Sequence, residues 1–84
     1  MNTGDYIMKL VEAIEQRVDN IIKSRHLTQY EVAEQGGIPR STISVIVNVK
    51  RKSVKIDTIY QICATLGISL KTFFDDPVFE LVSD

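Results

Sequence analysis

Eighty-four residues, 44% of them hydrophobic and 25% charged, suffice for one small domain whose single core must pack efficiently, and they exclude a disordered chain. The formal net charge of −1 looks unpromising for a partner as anionic as nucleic acid, whose binding is driven by basic side chains. No apolar run approaches the roughly eighteen residues of a membrane span, the stretch MNTGDYIMKL lacks a secretory pattern, and the single cysteine, Cys63, cannot form an internal disulfide; a reducing, cytoplasmic setting is the expectation.

The chain begins with a short polar arm and a candidate cap at Asp5. Ile7, Leu10, Val11, Ile14, Val18, Ile21 and Ile22 then recur at three- and four-residue steps, which predicts one long amphipathic helix to about Arg25. His26, the sole histidine, falls at the end of this helix, where partial positive charge is favourable. No second ligand stands near it in sequence, so neither metal binding nor catalysis is expected of it.

Thr28-Gln-Tyr-Glu31 places a hydroxyl three residues before a carboxylate, the capping-box spacing that satisfies backbone N–H groups at a helix start. Gly36-Gly37 should close that helix, because glycine takes the left-handed conformation without a Cβ clash. Pro39 suits the first turn of the next helix, which runs to about Val47. Ile43, Ile46 and Val47 share one face of it, and Arg40, Ser41, Ser44 and Val45 lie on others. Two helices joined so tightly must cross steeply, as in a helix-turn-helix, with small Ala33 near the crossing.

Charge is unevenly spread along the chain. Residues 1–34 carry four basic and six acidic groups, residues 35–56 carry five basic and none acidic, and residues 57–84 carry one basic and five acidic. The basic block, Arg40, Lys50, Arg51, Lys52 and Lys55, falls on the second helix of the pair and the loop after it; taken alone, such a run is a solvated face. Ile56, Ile59, Tyr60, Cys63 and Leu66 then form a further helical stripe with Asp57 in its first turn and Gly67 closing it. Cys63 reads as a buried structural thiol. Ser69 can cap a short helix carrying Leu70, Phe73 and Phe74, stopped by Asp75-Asp76-Pro77. Beyond it Val78, Phe79, Leu81 and Val82 crowd apolar side chains into a tail that either folds back or meets a partner.

The motifs LTQYEVAEQGGI, RSTIS and ICATLGISLKTFF, in that order over Val18 to Phe74, resemble the phage repressor and Cro-like (XRE-type) helix-turn-helix family. The resemblance implies an all-α, five-helix lambda-repressor-like domain over residues 1–76, with an extended first helix and an apolar, acidic tail over 77–84. It implies a sequence-specific transcriptional regulator, a repressor acting as a homodimer on double-stranded DNA, with no membrane role, no cofactor and no metal. In the family the second helix of the pair enters the major groove while the first lies across the backbone. By position, Arg40, Ser41, Ser44 and Val45 would face base edges, Arg40 in a bidentate contact to guanine and Val45 against a thymine methyl. Thr28, Gln29, Thr42, Lys50, Arg51, Lys52 and Lys55 would serve phosphates.

The chain departs from the family in three places. Many members pair a semi-buried arginine at the position of Ile22 with a glutamate at that of Val47. Here both are aliphatic, a joint exchange that a core tolerates where loss of one partner alone is costly. Pro39 replaces a usual capping Ser or Thr, and Val49 a frequent glycine. No converging acid, base and nucleophile appear, so no enzyme is expected. The alternative is an antitoxin or protein-interaction module that binds a partner protein through the C-terminal tail.

Overall fold

Short-range signals at the helix ends determine where this chain turns, and a computed structural model, which describes residues 8–39 and 54–83, shows those at Thr28, Gly37, Gly67 and Ser69 in use. The described residues form α1 (Leu10–Ser24), α2 (Gln29–Gly36), α3 (Ile56–Leu66) and α4 (Leu70–Phe74), followed by a 3-10 turn at Pro77–Leu81. Among them there is no strand, only a single parallel bridge between Met8 and Val82. The molecule is all-α, as expected. From Arg40 onward the helix expected at Pro39–Val47 lies outside the described residues, and with it the fifth helix of the predicted count.

The first helix starts later than its apolar stripe predicts. Asp5 and Ile7 lie outside the described residues, and Met8 and Lys9 are not helical. Met8 N–H donates to Leu81 O at 3.0 Å and Ser83 N–H donates to Met8 O at 3.0 Å, so the tail holds this backbone extended. Lys9 N–H donates to Glu12 Oε1 at 2.9 Å, and the helix begins one residue on. Leu10, expected inside, is 43% exposed. Ala13, absent from the expected stripe, is fully buried because α1 buries two sides. Ile14, Val18, Ile21 and Ile22 face the main core, while Ala13 and Met8 enclose Val78 of the returning tail.

The cap of α2 is the predicted one. Thr28 Oγ1 accepts from Glu31 N–H at 3.1 Å, and Glu31 Oε1 accepts from Thr28 N–H at 2.8 Å. Gly37 sits at φ +63 and ends the helix. Gly36 does something else. It is the last helical residue, and a Cβ built on it would stand 2.2 Å from Thr65 Oγ1 of α3. Gly36 therefore lets α2 and α3 close on each other, beside the buried Ala33. Gly36→Ala is expected to lower stability by about 1–2 kcal/mol, because overpacking outweighs the gain in helix propensity. Thr65→Ala in the same chain should recover most of that loss in urea melts. Equal losses in the single and double variants would place the clash elsewhere.

On α3, Ile59, Ile62, Cys63 and Leu66 are buried, whereas Ile56 and Tyr60 of the expected stripe are exposed. Successive residues turn by 100°, so Tyr60 points well away from the side on which Ile59, Ile62 and Cys63 meet α1 and α2. Ile56, in the first turn, projects past that contact. Gly67 closes the helix at φ +72. Burial pushes the Cys63 thiol above its ordinary pKa, with Arg17 pulling weakly the other way, so it remains a neutral core group. Ser69 Oγ accepts from Thr72 N–H at 3.0 Å to start α4, and Asp76 Oδ1 accepts from Val78 N–H at 2.9 Å to start the 3-10 turn.

Candidate nucleic-acid interface

The corner that follows α2 is fixed from both sides. Gly37 turns the chain in the left-handed conformation, and Ile38 N–H donates to Ala33 O at 3.0 Å. The Ile38 side chain is buried in the main core, and Pro39 is exposed. The backbone thus leaves the core and reaches the surface immediately before Arg40. Arg40, Ser41, Thr42, Ser44, Val45, Lys50, Arg51 and Lys52 lie outside the described residues, and their assignment to bases or phosphates stays an expectation.

The three remaining candidates stand at helix starts. Thr28 is the exposed N-cap of α2; its oxygen accepts from Glu31 N–H, which leaves its own hydroxyl proton for a further acceptor. Gln29 is the first residue of α2 and half-buried. Lys55 is the exposed N-cap of α3 and makes no side-chain cap. A lysine there opposes the helix dipole and forgoes the stabilisation of about 1 kcal/mol that Ser or Asp would supply. Backbone N–H groups at a helix start together with an ammonium group are well suited to hold a phosphate.

Arg17 is an important residue that the sequence reading missed. Its Nε donates to Phe73 O at 2.8 Å, Nη2 to Thr72 O at 2.9 Å, and Nη1 to Asp76 Oδ2 at 3.0 Å. The guanidinium lies 5.8 Å from the Phe73 ring centre. It occupies the end of α4 and serves the fold rather than a ligand. The available signal was its place between Ile14 and Ile21 on the apolar side of α1. The Arg25 guanidinium likewise donates to Leu66 O at the end of α3.

No three His, Cys, Asp or Glu side chains come together among the described residues, and His26 is an exposed residue at φ +57 just past α1. No helix among the described residues is long and apolar enough to cross a membrane.

Residues 17–77 match the family profile described as the Cro/C1-type HTH DNA-binding domain. The crystal structure of the prophage Lp1 protein 11 is similar to this chain at a TM-score of 0.73 and 35% sequence identity, over 83% of this chain and 93% of that one. No curated protein sequence gives a match.

Proposed function

Because the chain belongs to the Cro/C1-type helix-turn-helix DNA-binding family and is a DNA-binding transcriptional regulator, we propose that it is a sequence-specific dimeric repressor that lays the segment Pro39–Val47 in the major groove. The observation that carries this reading is the fixed corner at Gly37–Ile38, which delivers the chain to the surface where its acid-free basic block begins. Arg40, Ser41, Ser44 and Val45 read bases. Thr28, Gln29, Thr42, Lys50, Arg51, Lys52 and Lys55 grip phosphates. A two-fold dimer places two such segments about 34 Å apart on one face of the duplex.

The test is selection from mixed genomic DNA at two salt concentrations. Wild type should enrich a two-fold symmetric site. Arg40→Ala should relax one base position by about 1–3 kcal/mol, and Lys50→Ala should weaken all sites alike while flattening the salt slope by about one unit. No retention of DNA even at low salt would make the basic block a solvated face. The alternative, a module that binds a partner protein through its tail, has less support, because Val78 is already buried against Met8 and Ala13.

A further inference from the structure

We infer that the exposed stripe Ile56, Tyr60 and Ala64 of α3 is the surface on which two copies of this chain pair about a two-fold axis. The inference rests on the proposed dimeric regulator and supplies the surface that the sequence left open. The last helix, the tail and the first helix carry apolar groups as well. In the structure those elements bury most of theirs, and the two large ones left exposed, Leu10 at 43% and Phe74 at 37%, stand apart as the first residue of α1 and the last of α4. Val78 is buried, Phe79 packs against both clusters of the core, and Phe74 lies with its ring centre 5.0 Å from those of Phe73 and Phe79.

α3 is different. Ile59, Ile62, Cys63 and Leu66 cover its inner side, yet Ile56 is 54% exposed and Tyr60 is 60% exposed, with Ala64 also exposed. Steps of four residues put these three on one outer side. A surface helix ordinarily carries polar residues there, and one that is apolar on two sides is built to be covered twice.

A second copy fits this stripe by its own pattern. In an antiparallel pair with the axis through Tyr60, Ile56 of each copy, four residues before the axis, meets Ala64 of the other, four residues after it. Large therefore meets small twice, which is the self-complementarity an isologous interface requires. The two Asp57 carboxylates, three residues before the axis in each copy, lie toward opposite ends. The stripe would bury on the order of 300 Å² per copy, well below the roughly 800 Å² of a standard stable interface. Pairing is accordingly weak in free solution and is completed on DNA, where two neighbouring half-sites raise the effective concentration.

Sedimentation equilibrium of the full chain tests this, with melting curves to show that each variant folds. Wild type should self-associate with a dissociation constant on the order of 0.1–1 mM. Tyr60→Glu, which sets two like charges on the axis, should abolish association. Ala64→Ile should weaken it about tenfold, and Ile56→Ala added to Ala64→Ile should restore it by exchanging large and small across the pair. On DNA, Tyr60→Glu should keep its affinity for a single half-site and lose about tenfold on a two-fold site. The inference is overturned if Tyr60→Glu associates like wild type, or if the double exchange recovers nothing. Should wild type bind no DNA, the regulator reading fails, and the sedimentation series still decides this surface by itself.

Discussion

Phe73→Ala is expected to lower the unfolding free energy by about 3–5 kcal/mol, enough to leave a domain of this size largely unfolded at moderate temperature. Phe73 is fully buried and sits where α4 closes the main core. Its ring meets Phe74 edge-on at 82° and Phe79 at a tilt with centres 6.0 Å apart, and the Arg17 guanidinium lies over it. Truncation removes the transfer energy of the ring and leaves a cavity that three elements would have to collapse to fill. The melting temperature should fall by roughly 15–30 °C. Phe74→Ala is the control: Phe74 is partly exposed and its loss should cost about 1 kcal/mol. Equal effects of the two substitutions would mean that α4 does not seal the core as described.

Arg17→Ala is expected to cost about 2–3 kcal/mol, more than its place on a helix surface would suggest. The side chains of Arg17 and Asp76 are 16% and 29% exposed, so water partly screens the pair and the full penalty of a dry broken ion pair does not apply. The loss arises from three acceptors left together without a donor: Phe73 O, Thr72 O and the Asp76 carboxylate. Arg17→Lys should recover little, because an ammonium on a flexible stem cannot reach three acceptors arranged for a planar fork. Urea melts measure the total. Hydrogen exchange locates it: the Met8 and Ser83 amides, which pair the tail to the chain before α1, should lose more protection than the amides of α2. Uniform loss of protection would show that Arg17 acts on the whole domain rather than on the tail.

What was legible in the sequence was whatever a few neighbouring residues decide. Thr28 with Glu31, Gly37, Gly67 and Ser69 each end or begin a helix through contacts three or four residues away, and each stands where its spacing put it. Side-chain direction depends on which other elements lie near, and there the pattern misled. Leu10, Ile56 and Tyr60 fit the expected stripes and Ala13 and Ile62 do not, yet the first three are exposed and the last two are buried, because burial follows where the tail and the other helices lie. The start of α1 was missed for the same reason, since Met8 pairs with residues at the far end of the chain. Of the candidate site, the corner at Gly37–Ile38 was legible, because a capping box before α2 and a glycine after it write it locally. The contacts proposed for Arg40 and Lys50 would lie on another molecule, so no spacing within this chain can name them.

The Arg17 clasp also bears on how long the fold lasts once formed. Arg17 and Asp76 are 59 positions apart in the chain, and the bonds to Phe73 and Thr72 span 56 and 55. Closing so wide a loop is entropically expensive and is rewarded only after α1 and α4 already exist, so these bonds belong to the late, downhill part of folding. Interactions absent from the transition state leave the refolding rate alone and act on the rate of escape. A regulator held by such a clasp can assemble as quickly as its helices allow and still open seldom, which makes Arg17 a determinant of the protein's lifetime against proteolysis as well as of its equilibrium stability.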